Sequence, residues 1–144
     1  MSPAIIAVDV GTKRIGLAIA EGVYLPAMPL TTIEHQSRAK DVRRVRGLAI
    51  ERGAGTIVVG YPLALDGSRG PAADSVDRFI QELRGIFSGD VVAVDERMTT
   101  GAATKRLLQS GLRPSRRREL VDRIAAVEIL ESYLAQRRSE RSGG

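Results

Sequence analysis

Short apolar runs alternate with segments of helical periodicity along most of the chain. Several of these runs predict β-strands, because they are short, rich in β-branched residues and bounded by turn-forming residues. The first three, at residues 5–10, 15–20 and 30–33, follow one another closely and predict an antiparallel meander. Pro26 and Pro29 favour an edge position for the third strand, since proline cannot donate to the hydrogen-bond ladder.

The rest of the chain alternates between strands and helices. Further apolar runs at residues 56–60 and 91–94 predict buried strands. Capping residues, apolar spacings of three and four, and glycine stops predict the helices. These are a helix capped by Ser37 and running to about Arg52, one opened by Pro71 and ended by Gly89, one from Thr99 or Thr100 to Gly111, and a long last helix from Glu119 to about Arg137.

This order of elements predicts an α/β fold. Strands that alternate with helices after a meander form a mixed sheet, with a βαβ connection on each side of the strand at 56–60. We expect a single domain over residues 1–138, because 144 residues is an ordinary size for one domain and no long linker divides the chain. Residues 139–144 are expected to form a flexible tail.

Composition narrows the chemistry. Aromatic residues are only 3% of the chain and tryptophan is absent, so the core must be aliphatic. Few aromatic side chains are therefore available to stack on nucleobases. The net charge of +5 favours polyanionic partners. Without cysteine there is no disulfide, thiol catalysis or cysteine-ligated zinc. The single histidine, His35, argues against a histidine metal site and is interpreted as a solvated loop residue.

No apolar run reaches the length that spans a membrane. The first residues also lack the basic and apolar regions of a signal peptide. We therefore expect no membrane association and a cytoplasmic location.

Three acidic positions are the candidate chemical groups. Asp9 ends the first apolar strand, Asp95 and Glu96 end the last one, and Asp122 falls on the apolar side of the last helix. Carboxylates suit hard divalent cations, and two such ions can cleave a phosphodiester without histidine or cysteine. Strand alternation puts Asp95 and Glu96 on opposite faces but does not choose between them. A structural role remains open, since aspartate also caps turns and stabilises helix N-termini.

Four segments carry a resemblance to a known family. They are Asp9-Val10-Gly11-Thr12-Lys13-Arg14-Ile15-Gly16-Leu17-Ala18, Val58 to Leu63 with Asp66-Gly67, Asp95 to Thr100, and Asp122 with Ala125-Ala126 and Ile129-Leu130. At these residues the chain resembles the YqgF (RuvX) family, whose members are similar to RuvC-type Holliday-junction resolvases of the RNase H-like superfamily. The segments span nearly the whole chain in order. Tyr61 is a mild departure, because family members generally have leucine or another apolar residue there.

The resemblance implies an RNase H-like fold with a five-stranded mixed sheet, in which three antiparallel strands are followed by two parallel ones and helices flank the sheet. It implies a cytoplasmic nuclease that matures the 5′ end of precursor 16S ribosomal RNA (pre-16S rRNA), so ribosome assembly intermediates are expected partners. Resolution of branched DNA is the alternative. The family pattern also selects Glu96 over Asp95 and implies that Asp9, Glu96 and Asp122 bind the metal.

The resulting hypothesis is that Asp9 bridges two Mg²⁺ or Mn²⁺ ions, while Glu96 and Asp122 each complete one site. Basic side chains would hold the nucleic-acid backbone by charge, so binding should weaken steeply with salt. These side chains are Lys13, Arg14, Arg97, Arg113, Arg116, Arg117 and Arg118, the last four in a loop predicted at residues 113–118.

Two other classes remain open. ATPases of the actin and sugar-kinase type share the RNase H-like core and an Asp-x-Gly-Thr hairpin, but they need two such domains and 144 residues supply one. A non-catalytic factor that binds RNA or the ribosome would fit the basic charge but not the three acids. The sequence also leaves open a monomer or a homodimer, of which junction resolution would favour the dimer.

Overall fold

The computed structural model describes residues 3–62, 70–95 and 114–143, and the side chains of the last helix over residues 123–141. The predicted helix that begins at Thr99 or Thr100 lies outside these residues. The strands are β1 (Ala4–Val10), β2 (Arg14–Ala20), β3 (Met28–Glu34), β4 (Ala54–Tyr61) and β5 (Asp90–Asp95), and the described helices are α1 (Arg38–Glu51), α2 (Pro71–Ile86) and α3 (Pro114–Gly143).

The strands form one five-stranded sheet in the order β3-β2-β1-β4-β5. The β1–β2 and β2–β3 pairs are antiparallel, whereas β1–β4 and β4–β5 are parallel. This arrangement confirms the predicted mixed sheet. The third strand is an edge strand, as its prolines predicted, and Pro29 pairs with Ala18 where the register shifts. A proline is tolerated at such an irregularity because the ladder is interrupted there.

Helices cover both faces of the sheet. Ile6 and Val8 of β1 belong to the apolar cluster that includes residues of α1 and α2. The alternate residues Ile5 and Ala7 belong to a second cluster, which includes residues of α3. The central strand β1 is therefore buried on both faces, which explains its uninterrupted apolar sequence.

The two helices on the first face follow their sequence signals. Ser37 caps α1, and its side-chain oxygen accepts a hydrogen bond from the Lys40 backbone N–H at 3.2 Å. Val42, Val45 and Ala49 are buried as predicted. Pro71 opens α2, which ends at Ile86, three residues before the predicted glycine stop.

The last helix is longer at both ends than predicted. Its backbone is helical from Pro114, so residues 114–118 form its first turns and the predicted basic loop is wrong over that span. Proline is favourable at the first helical position because that residue needs no intrahelical N–H bond. The helix also continues to Gly143 instead of ending near Arg137.

Among the described helices, none is long and apolar enough to cross a membrane.

Contacts with a distant loop accompany the longer C-terminal half of α3. The Arg138 guanidinium donates from Nε to the Val23 carbonyl at 2.6 Å and from a terminal nitrogen to the Leu25 carbonyl at 3.1 Å. Residues 139–143, predicted as a flexible tail, are therefore preceded by an anchored turn and are helical themselves. One face of α3 packs into the second cluster through Ala126, Ile129, Leu130 and Leu134.

Candidate functional site

Asp9 is the next-to-last residue of β1 and is half-buried. It alternates with Ile5 and Ala7, which both face α3, so Asp9 belongs to the α3 face of the sheet. Its neighbour across the antiparallel pair is Gly16 of β2. The strand thus presents a carboxylate beside a residue that has no side chain.

The turn after Asp9 brings two cationic residues back to the end of the sheet at which β1 finishes. We call this end of the sheet the Asp9 edge. The Gly11 backbone N–H donates to the Arg14 carbonyl at 3.0 Å and closes the turn. A Cβ atom on Gly11 would clash with that carbonyl oxygen, so this position requires glycine. Lys13 is exposed at the turn, and its carbonyl accepts a hydrogen bond from the His35 backbone N–H at 2.9 Å.

The register of β5 determines the side of the sheet to which Asp95 belongs. Asp95 pairs with Tyr61 in the parallel β4–β5 ladder, so the two side chains share a face. Tyr61 packs against the cluster on the α1/α2 side, and its hydroxyl donates to Asp77 Oδ2 of α2 at 3.1 Å. Asp95 is therefore on the face opposite Asp9. Glu96 lies outside the described residues.

Asp122 lies in α3, at a position for which only the backbone is described. The next residue, Arg123, lines a shallow depression together with Arg14, Thr32 and Glu34, at the end of β2 nearest Asp9. The other end of α3 contacts the loop after β2 through Arg138. The helix therefore runs across the sheet, with the segment that contains position 122 at the Asp9 edge.

Of the three predicted acids, only Asp9 has a described side chain. Among the described side chains there is no group of three or more Asp, Glu, His or Cys residues that could hold a metal ion. Some of the predicted basic residues lie within the described chain: Lys13 is in the turn between β1 and β2, Arg14 begins β2, and residues 116–118 lie in the first turns of α3. Arg97 and Arg113 are outside the described residues.

A buried acid that sequence reasoning missed lies next to this edge, paired with a histidine. Asp41 is only 2% exposed and is the one buried polar or charged residue in the described part of the chain. Its Oδ2 is 2.5 Å from His35 Nδ1, and its Oδ1 accepts a hydrogen bond from the Gln36 backbone N–H at 3.1 Å. His35 is an exposed loop residue, as we predicted, but the contact with Asp41, which we did not predict, holds its ring in place. A signal was present, since Asp41 precedes Val45 and Ala49 by one and two helical turns and so lies on the apolar stripe of α1.

Residues 3–136 match the family model of RuvX, which is described as a Holliday junction resolvase. The chain belongs to the RuvX family. The family resemblance found at the four sequence segments is thereby confirmed.

A relative from Chloroflexus aurantiacus, named "Putative pre-16S rRNA nuclease", is 42% identical over 135 residues, which cover 94% of this chain and 88% of that protein. A relative of the same name from Geobacillus kaustophilus is 39% identical over 132 residues, which cover 90% of this chain and 96% of that protein.

Solved structures confirm the fold class. Thermus thermophilus RuvC in complex with a Holliday junction superposes with a TM-score of 0.55 at 15% identity, covering 93% of this chain and 96% of that one. The Fowlpox virus resolvase bound to Holliday junction DNA gives a TM-score of 0.57 at 13% identity, covering 92% and 97%. At these identities the likeness concerns the fold, which is the RNase H-like fold that the resemblance implied.

Proposed function

We propose that this RuvX protein is a divalent-metal-dependent nuclease that hydrolyses phosphodiester bonds in pre-16S rRNA and acts in the cytoplasm on ribosome assembly intermediates. The observation that carries the proposal is Asp9, a half-buried carboxylate at the end of the central strand, beside Gly16 and next to a cationic turn. Relatives that match most of the chain carry the name of a pre-16S rRNA nuclease. The net charge of +5 suits a polyanionic substrate.

Asp9, Glu96 and Asp122 are the residues that we assign to the metal. Asp9 lies on the α3 face, and position 122 lies in the segment of α3 at the same edge of the sheet. Asp95 lies on the other face, which favours Glu96 as the second acid. Their oxygen donors fit Mg²⁺ or Mn²⁺. Two such ions, when bound, would activate water for attack on phosphorus and offset the charge on the leaving oxygen.

The basic residues would position the substrate. Lys13 lies in the turn that follows Asp9 and Arg14 begins β2, so both residues are near the proposed acid and suit contacts with the phosphates of the substrate. Further basic residues would extend this contact along the nucleic-acid strand. They are Arg97, Arg113, Arg116, Arg117 and Arg118. Their contribution is electrostatic and independent of base sequence.

Resolution of Holliday junctions is the second candidate, because the matching family is described by that activity. Symmetric cleavage of a four-way junction would require two copies of the chain, whereas cleavage of a single RNA strand would need one. Substrate preference therefore separates the two candidates, together with the oligomeric state of the protein on its substrate.

The deciding experiment compares cleavage of labelled pre-16S rRNA and of a four-way DNA junction in Mg²⁺, Mn²⁺ or EDTA. We expect metal-dependent cleavage of the RNA that falls on the order of 10³-fold in Asp9→Asn, the loss typical for a group that acts in the transition state. Asp90→Asn is the matched control, since Asp90 is an exposed acid at the start of β5, the end of that strand away from Asp95.

The outcomes separate the candidates. Preferential cleavage of the junction by a dimer would select the resolvase. Equal cleavage by the wild type and Asp9→Asn, or cleavage in EDTA, would contradict the proposed site. RNA binding without cleavage under any metal would support a non-catalytic binding factor instead.

A further inference from the structure

A cavity of about 480 Å³ lies at the Asp9 edge of the sheet, between the first turns of α1 and α2. This volume is within the range of about 300–1,000 Å³ that is typical of sites for small organic ligands. The cavity is on the α1/α2 side of the sheet, whereas Asp9 belongs to the α3 face. Asp9 still lines the cavity, because it lies near the end of β1, so a group bound there would reach the proposed cleavage site around the end of that strand. Apart from Asp9, the described lining residues have no role in the metal chemistry assigned above.

One wall of the cavity is apolar. Val10 and Pro62 contribute from the ends of β1 and β4, and Val76 and Phe79 contribute from α2. Val76 and Phe79 are also part of the first apolar cluster, so this wall is rigidly supported. An apolar surface of this kind suits the face of a nucleobase, which gains by leaving water.

The opposite side of the cavity is polar and organised by the buried Asp41. The His35 side chain is 43% exposed and lines the cavity, while its Nδ1 is engaged by Asp41. This leaves Nε2 as the ring nitrogen that can bind a ligand. Ser37 and Arg38 line the same side, and Arg38 donates from Nε to Glu82 at 2.9 Å.

Burial of Asp41 would be costly without the hydrogen bonds from His35 and Gln36. The pair fixes an exposed imidazole at the mouth of a cavity, in the way that carboxylates orient histidines in other functional sites. Asp41 is therefore a positioning residue, and His35 is the group that can contact a ligand.

We propose that this cavity receives one unpaired nucleotide of the substrate strand, next to the bond cut at Asp9. The base lies against the apolar wall and the sugar–phosphate lies at His35. The assignment to a substrate strand rests on the proposed nuclease function. A free nucleotide has the same chemistry, so the test must distinguish a nucleotide within a strand from one in solution.

The first arm of the test measures binding of AMP, UMP and inorganic phosphate in EDTA by nuclear magnetic resonance titration. Ser75→Leu would fill the cavity from an exposed position on α2. Gln81→Leu is the matched control, because Gln81 is exposed on the same helix and does not line the cavity. We expect a nucleotide to bind at least about ten-fold more tightly than phosphate, which is about 1.4 kcal/mol.

Ser75→Leu should lose this preference, whereas Gln81→Leu should keep it. Asp41→Asn retains an acceptor for the Gln36 N–H but weakens the contact with His35, so it should lower the nucleotide affinity of the protein that is folded at the titration temperature. Equal affinity for nucleotide and phosphate, or unchanged nucleotide binding in Ser75→Leu, would overturn the proposal.

The second arm uses RNA oligonucleotides in which one position at a time is abasic, bound to the Asp9→Asn protein. We expect a single abasic position beside the cleavage site to weaken binding, and this penalty should vanish when Ser75→Leu is added. Nucleotide binding with no abasic penalty would mean a site for free nucleotides and would overturn the assignment to the strand. Loss of cleavage in Asp9→Asn is measured separately, so either hypothesis can fail while the other stands.

Discussion

Asp9 and Gly16 lie opposite each other across the β1–β2 pair, on the face of the sheet that α3 covers. Side chains in such opposed positions have Cβ atoms about 4.5–5.5 Å apart. Because Gly16 has no side chain, the carboxylate of Asp9 is not crowded from that position of the strand pair. The glycine therefore matters for the space beside the acid as well as for the backbone.

Gly16→Val should block this space. We expect cleavage to fall by at least about ten-fold, because a branched side chain would lie within about 5.5 Å of the Asp9 Cβ atom. Single-turnover cleavage, normalised to the folded fraction from circular dichroism, measures the effect. Ala18→Val is the control, since it adds bulk on the same face one pleat further along β2. Overpacking there should cost about 1–3 kcal/mol of stability but leave the cleavage rate of the folded protein unchanged. Wild-type cleavage by Gly16→Val would contradict this interpretation.

Asp95 and Glu96 are neighbours in sequence but should differ in function. We expect Asp95→Asn to retain cleavage, because Asp95 shares the α1/α2 face with Tyr61. Glu96→Gln should lower cleavage by about 100-fold or more, as when one charge-stabilising group is removed. Steady-state cleavage in Mg²⁺ and binding of Mn²⁺ by calorimetry would both be measured. The reverse pattern would make Asp95 the second acid.

Local patterns were enough to predict the antiparallel meander, because β1, β2 and β3 follow one another with short connections. They also predicted a mixed sheet, but the five-stranded arrangement came from the family resemblance, since the pairing of β4 with β1 is a long-range property. Alternation along the strand could not choose between Asp95 and Glu96, and the family pattern selected Glu96; the register of β5 against β4, which supports that choice, is a long-range property. The start of α3 at Pro114 was missed because the prediction treated the arginines as a loop and began the helix at Glu119. Asp41 was missed although it lies on an apolar stripe, the same criterion that identified Asp122.

Two helical glycines offer a test of local stability. At Gly47 in α1 and Gly85 in α2, an added Cβ atom would have no other atom within 4 Å, and neither residue adopts a positive φ. Each change to alanine should raise the free energy of unfolding by about 0.5–1 kcal/mol, since glycine loses more backbone entropy on folding. Urea denaturation measures the gain. Gly11→Ala is the contrast, because its Cβ would meet the Arg14 carbonyl oxygen and must lower stability. A stabilised Gly11→Ala would show that the turn can rearrange.

The basic first turns of α3 should contribute to affinity through charge alone. Replacing Arg117 with glutamine should reduce the magnitude of the slope of log affinity against log salt by about 0.7 for single-stranded RNA. Arg141→Gln is the control, since Arg141 is an exposed residue near the other end of the same helix, where it stacks on Tyr24 at 5.8 Å. Fluorescence anisotropy between low and physiological salt gives both slopes. Equal slopes for Arg117→Gln and the wild type would mean that the RNA strand does not contact the start of α3.

The contact between Arg138 and Val23 joins residues 115 positions apart in the chain. On the ribosome, β1 and β2 emerge early, whereas α3, the described helix that packs with Ala7 and Ala18, is made only after β5. Within the described part of the chain, this face of the sheet therefore receives its helix after all five strands have been made, and an apolar face that waits for its partner is prone to association. Closure by α3 would complete the hydrophobic interior in one late step, and position 122 would reach the Asp9 edge in that same step. Under the proposed function, which assigns Asp122 to the metal, a partly made chain would then be unable to cut RNA beside the ribosome that is producing it.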